Sequence, residues 1–256
     1  NYSNYSICES NIKIDDLVNF ASKNNLSAMG LTDYKLLSGS LEFSIKCQKV
    51  GIQPIIGLDI DYYSTLDHSK RVTFICKSEE GFKNINILST EINTNNNFLL
   101  NLDNIKDFAK GNILILGGLY SYFEDISINQ KNLNKVLNEI KNLKEIFNND
   151  LFFEHDQNLN NIFLKEVSKK LEIPLFNSFF SFYKSTNDFE AMQILHCVKN
   201  GEYLQNSTFK INNNYSLDKS VDSPDNSLVL NSQLIAKKIN FLIKEKPISL
   251  PNFSKG

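Results

Sequence analysis

An α/β fold built on a parallel sheet is what this sequence predicts, and three observations predict it. Apolar segments of strand length alternate with amphipathic segments of helix length along most of the chain, the order that yields strand–helix–strand units. The run 113–116 is apolar without interruption, as a strand buried on both faces must be. Two apolar runs end in acids, one at Thr32-Asp33 and one at Asp59 and Asp61. Carboxylates at the carboxyl ends of parallel strands stand where α/β folds place their chemistry.

The elements follow in order. Leu17, Val18, Phe20 and Ala21 share one face of a helix expected over 15–24. A short strand runs into Thr32-Asp33, and a helix over about 38–50 has Gly51 well placed as its C′ residue. Strands are expected at 53–60 and 72–76, after which Ser78 caps a helix carrying Phe82, Ile85 and Leu88. Beyond the 113–116 strand, Leu133, Val136, Leu137, Ile140, Leu143 and Ile146 recur at helical spacing through 130–147. A strand at 151–154, a helix at 162–171 and a strand at 174–177 come next. Asn187 with Glu190 forms a capping-box pattern that opens a helix closing at Gly201. Residues 206–224 read as a polar connection and 226–244 as a final helix. Periodicity alone leaves a closed barrel and an open sheet both available.

Composition narrows the function classes. The 256 residues suit one large α/β domain or two small ones. With 27 basic and 29 acidic residues the net charge is −2, so no global field draws nucleic acid. Cys8, Cys47, Cys76 and Cys197 show no C-x-x-C spacing and read as free thiols of a reducing cytosol. No apolar run reaches the length of a membrane span and no signal peptide is evident, so a cytoplasmic location is expected.

Six further segments, in the same order along the chain, carry a resemblance together with 28–61, which holds L-T-D-Y-K-L-L-S-G and P-I-I-G-L-D. They are 4–16 (N-Y-S-I-C-E-S-N-I-K-I-D-D), 77–88 (K-S-E-E-G-F-K-N-I-N-I-L), 112–119, 172–183, 190–204 and 226–253. The set resembles the N-terminal PHP (polymerase and histidinol phosphatase) domain of bacterial DNA polymerase III alpha subunits. The resemblance implies a distorted (β/α)7 TIM-like barrel over 1–221. Residues 222–256 would then be a C-terminal helix and exit segment toward a polymerase palm domain outside this chain. It also implies a parent chain that extends DNA with carboxylate-bound magnesium, using residues outside this fragment. The implied partners are the proofreading exonuclease subunit (epsilon), other replicase subunits, and DNA through the parent chain, with no membrane.

Family members hold a metal cluster with His, Asp, Glu and sometimes Cys. At the matched positions this chain has Tyr2, Tyr34, Arg71, Gly118, Asn158, Phe180, Phe182 and Met192. Phe, Met and Gly offer no donor to a divalent ion, and an arginine repels it. Asp33 and Asp59 survive, and Glu154 falls on a family carboxylate position. The resemblance therefore implies a catalytically inactive domain with no cofactor of its own, giving structural support and docking the exonuclease. Asp33 and Asp59 are expected as solvated strand-end carboxylates. Tyr2, Tyr34, Phe180 and Phe182 are expected to gather as an aromatic plug, with the tyrosine hydroxyls on Asp33 or Asp59. The alternative is a weakly metal-dependent PHP phosphoesterase or 3′-5′ exonuclease using Asp33, Asp59 and Glu154. A third reading is a barrel enzyme with a new polar pocket elsewhere.

The remaining candidates are weaker. His155 on its strand points away from Glu154 and Asp156. His196 reads as a packed or solvated helix residue and His68 as exposed. Gly117-Gly118 lacks the glycine pattern of a phosphate loop. The lysines of 141–144 and 237–238 read as solvated faces. No nucleophile–base–orienter set can be assembled.

Overall fold

The computed structural model describes residues 1–65, 69–120, 130–156, 162–209, 215–219 and 226–245. Within them six strands lie side by side in chain order: β1 (Ala28–Leu31), β2 (Gln53–Tyr63), β3 (Ser69–Cys76), β4 (Asn112–Gly117), β5 (Leu151–Asp156) and β6 (Leu175–Ser178). The helices are α1 (Ile14–Lys23), α2 (Ser40–Lys49), α3 (Glu79–Thr94), α4 (Gln130–Phe147), α5 (Ile162–Leu171), α6 (Phe189–Asn200) and α7 (Asn226–Lys238). The sheet curls into a half-barrel, so the α/β barrel-type class stands, with six described strands where the resemblance implies seven.

The sheet is mixed, which corrects the all-parallel expectation. β1–β2, β4–β5 and β5–β6 pair in parallel, while β3 runs antiparallel to both β2 and β4. Only residues 64–68 separate β2 from β3, and a parallel return needs a crossover of a dozen or more residues. The short link forces a reversal.

Alternation along the strands sorts two faces. Leu58, Ile60, Tyr62, Val72, Phe74, Leu114, Leu116, Leu151 and Phe153 pack outward with the buried residues of α3, α4 and α5. Ile75, Ile113, Ile115, Phe152 and Phe176 face inward and meet Ile235 of α7 and Ile239 just after it. α1, α2 and β1 share a third cluster around Leu17, Leu31 and Phe43.

Local signals explain most boundaries. Ser78 Oγ accepts the Gly81 amide at 3.1 Å, the N-cap expected for α3. Gly201 ends α6 in the left-handed conformation. The capping box ahead of α6 is Ser185 with Asp188, not Asn187 with Glu190. A short 3-10 turn precedes the α-helix and moves the cap upstream. α7 stops at Lys238 and does not reach 244, because tertiary bonds draw the chain aside. The Asn240 amide donates to the Lys77 carbonyl at 3.1 Å, and the Phe241 ring packs 5.4 Å from Phe82. No described helix is long and apolar enough to cross a membrane.

Candidate functional site

Asp33 follows β1 and Asp59 lies within β2, and the backbone ties the two together. The Asp59 amide donates to the Asp33 carbonyl at 3.1 Å, and the Lys35 amide to the Asp59 carbonyl at 2.8 Å. Both side chains are buried, at 2% and 5% exposure, which corrects the expectation that they are solvated. Asp33 Oδ1 accepts the Ser3 amide at 2.6 Å and the Ser6 hydroxyl at 2.7 Å, and Oδ2 accepts the Ser3 hydroxyl at 2.7 Å. Its carboxylate pins the N-terminal loop across the end of β1. Asp59 Oδ1 accepts Thr73 Oγ1 at 2.9 Å across the β2–β3 pair, and Oδ2 accepts the Tyr2 hydroxyl. Burial pushes the Asp59 carboxyl above the usual range, against the opposing pull of Arg71, Tyr2 and Thr73.

Arg71 stands opposite Asp61 in the β2–β3 register. Its Nη1 donates to the Tyr2 hydroxyl at 2.8 Å and its Nη2 to Glu9 Oε1 at 3.0 Å. The guanidinium carbon lies 3.8 Å from the Tyr34 ring centroid and 4.1 Å from that of Tyr120. An arginine–tyrosine–aspartate relay thus runs from Arg71 through the Tyr2 hydroxyl to Asp59. Glu9, on the other arm, also receives Lys199 Nζ. Burial would raise the Glu9 carboxyl, but Arg71 and Lys199 outweigh it and hold Glu9 below its ordinary value. Burial would likewise weaken Arg71's charge, yet Tyr2, Asp59 and Glu9 hold the guanidinium more firmly protonated than usual.

The structure brings the aromatic replacements together. The Tyr2 ring meets Phe180 edge-on at 4.6 Å and Phe182 at 5.7 Å, and those two phenylalanines lie 4.9 Å apart. Phe182 also meets Tyr120 at 5.9 Å and Tyr215 at 5.8 Å. Met192 is buried in the same cluster, and Tyr34 packs against it. One detail is corrected: the Tyr34 hydroxyl donates to Asp61 Oδ2 at 2.7 Å, not to Asp33 or Asp59. Lys35 clamps that same Asp61 oxygen at 2.6 Å.

Glu154 lies within β5, two residues before its end, and is buried. Burial raises its carboxyl to about 7, and Asp156 and Asp59 push the same way. Gly118 makes room for it. A Cβ on Gly118 would stand 2.7 Å from Glu154 Oε2, and the backbone there has φ +79°. His155, on the opposite strand face by alternation, is buried. His196 is partly exposed, its ring 5.1 Å from that of Phe209. Asn158 and His68 lie outside the described residues. Lys144 and Lys238 are structural ties and not solvated faces: Lys144 donates to the Leu171 carbonyl, and Lys238 to Asp150 at 2.9 Å. A cavity of about 360 Å³ opens between β1 and β6 beside Glu154, with mainly apolar walls such as Met29, Ile55, Ile115 and Phe176.

These residues do not fit a divalent cation. Among the described residues no group of three or more His, Cys, Asp or Glu side chains is arranged to hold one. Asp33 spends its oxygens on three donors, Asp59 on two hydroxyls, and the nearest fixed charge between the acids is cationic. Sequence reasoning located Tyr2, Arg71, Phe180, Phe182 and Met192, but it missed Ser3, Ser6, Glu9, Thr73, Tyr120 and Lys199. Only Thr73 had a signal, being opposite Asp59 once β2 and β3 pair.

Comparison with known proteins supplies the wider frame. A family model described as PHP domain matches residues 1–158. The DNA polymerase III subunit alpha of Buchnera aphidicola is 27% identical over 276 residues, covering 100% of this chain and 24% of that protein. The DNA polymerase III subunit alpha of Borreliella burgdorferi is 29% identical over 229 residues, covering 78% of this chain and 19% of that protein. The chain thus spans about a quarter or less of the length of these relatives. An amidohydrolase from Chromobacterium violaceum shares the fold, with a TM-score of 0.50 at 7% identity over 71% of this chain and 86% of that one.

Proposed function

Because this chain belongs to the PHP domain family, we propose that it is a non-catalytic PHP domain of a DNA polymerase III alpha subunit, acting in the cytoplasm as structural support for a replicase. The observation that carries the reading is the gathering of the Arg71 guanidinium with the rings of Tyr2, Phe180 and Phe182 at one end of the half-barrel, residues that the resemblance aligns with the family's metal ligands. Similarity to alpha subunits along the whole chain supports the parent assignment. On this reading polymerisation, with its magnesium, belongs to residues outside this chain. This domain would serve as a platform for the proofreading exonuclease (epsilon), and the other replicase subunits and DNA would be met through the rest of the parent protein.

The catalytic half of the proposal is tested with protein purified without chelator. It should hydrolyse neither a phosphate monoester, nor a bis-aryl phosphodiester, nor 3′-ended single-stranded DNA when manganese, zinc or magnesium is supplied. Metal-dependent hydrolysis abolished by Asp33→Asn or Asp59→Asn would restore the phosphoesterase or exonuclease alternative. The docking half is tested by co-purification with the cognate exonuclease subunit, and failure to co-purify would remove that role.

A further inference from the structure

We infer that Arg71 is a tethered counter-cation that does the electrostatic work of a metal ion at this site, and that removing it opens a cryptic cation site bounded by Glu9, Asp59 and the Tyr2 hydroxyl. The inference rests on the metal-free part of the proposed function and goes beyond it. It names what balances the buried charge and what binds when that balance is removed.

Charge must balance where water is excluded. Glu9 and Asp59 are 6% and 5% exposed. Two carboxylates so placed need a compensating charge or must stay protonated. Lys199 reaches Glu9, but its side chain is 40% exposed. Arg71 is 14% exposed and serves both acids, Glu9 directly at 3.0 Å and Asp59 through the Tyr2 hydroxyl at 2.8 Å. Its geometry is over-determined. The fork is fixed by two acceptors of the N-terminal loop, Tyr2 and Glu9, and the plane lies against the rings of Tyr34 and Tyr120 at 3.8 and 4.1 Å. A lysine could supply charge but neither the fork nor the flat face. The backbone holds it too, since the Arg71 amide donates to the Tyr120 carbonyl at 3.1 Å. Arg71 therefore joins the N-terminal loop through Glu9 and Tyr2, the β1 end through Tyr34 and the β4 exit through Tyr120. A metal ion cross-links chain segments in the same way by sharing ligands among them. A side chain does so at no dependence on metal supply.

The test is thermal unfolding of the protein in chelator and in millimolar manganese. The wild-type midpoint should be the same in both. Arg71→Met keeps the stem and removes the charge, so the midpoint should fall by roughly 6–12 °C, as expected for a buried charge left unpaired in a chain of this size. Glu9→Gln should lower the wild-type midpoint but raise that of Arg71→Met, because it removes a buried charge then balanced by the part-exposed Lys199 alone. Arg71→Ala, which also opens space, should gain several degrees from manganese. Three results would each overturn the inference. One is a Glu9→Gln effect of the same sign and size in both backgrounds, which would reduce Arg71 to packing. The others are a manganese shift in the wild type and no manganese shift in Arg71→Ala. Should Arg71→Ala not fold, the Arg71→Met and Glu9→Gln cycle decides. Hydrolytic activity is measured separately on the wild type, so failure of the non-catalytic reading is distinguishable from failure of this one.

Discussion

Tyr2 fills volume with its ring while its hydroxyl links Arg71 to Asp59, and both functions are legible only once its neighbours are known. The same holds for the phenylalanines. Phe182 is fully buried whereas Phe180 is half-buried, so the larger stability role falls on Phe182. Phe182→Ala should destabilise by about 3–5 kcal/mol, and Phe180→Ala by less, as read from denaturant midpoints. Equal losses would overturn the ranking by burial, and no loss in either variant would show that the rings do not form one packed unit. Glu154 makes a prediction about pH. Its folded carboxyl titrates near 7 against an ordinary 4.5. A raised carboxyl favours the folded state while protonated, so its contribution is fully present below about pH 4.5 and is lost as pH rises through about 7. The loss is on the order of 3 kcal/mol for a shift of this size. Glu154→Gln should flatten the stability profile across that window, and an unchanged slope would assign the pH dependence to other groups. Gly118 belongs to the same device: Gly118→Ala adds a Cβ against the Glu154 carboxylate at a left-handed φ, and should destabilise more than a surface change does.

Helix caps and amphipathic stripes were legible in the sequence because each is decided within a few residues. The Ser78 cap of α3 is an example, and Ser78→Ala should cost about 1 kcal/mol. The close approach beneath that helix was not legible. A Cβ on Gly81 would lie 2.0 Å from the Gly111 carbonyl oxygen, a contact between residues far apart in sequence. α7 was legible at its start and not at its end. It anchors through Ile235 and Ile239 on the inner sheet face, through Gln53 Nε2 to the Ala236 carbonyl at 3.0 Å, and through Asn231 to the Leu175 carbonyl at 2.7 Å. Its other side exposes Leu230 and Leu234. With one face anchored and one open, α7 should exchange its amide hydrogens at a free energy well below global unfolding. Protection equal to that of β4 would contradict this and make the helix part of the cooperative core.

At the scale of the whole molecule, the half-barrel gathers Asp33, Asp59, Arg71, Tyr2 and Glu154 from five separate segments onto one end of one face. A protein stabilised by bound metal melts lower in chelator, because ligand that binds only the folded state adds to its stability. Here chelation should leave the midpoint unmoved and raised ionic strength should shift it little, since the central ion pair is buried and poorly screened. A chelator-dependent drop would return the site to the metal-binding class. By itself the sequence determined where most helices and strands lie and that the class is α/β, features that follow from periodicity and capping. Through its resemblance to the family it also implied that the positions corresponding to metal ligands carry rings, sulfur and a guanidinium. Only the tertiary structure decided that β3 runs antiparallel, that Asp33 and Asp59 are dry, that Tyr34 answers to Asp61, and that Glu9 and Lys199 complete the charge balance around Arg71. Burial and ion pairing are properties of segments brought together from opposite ends of a chain, and no local pattern of residues encodes which distant segment will arrive.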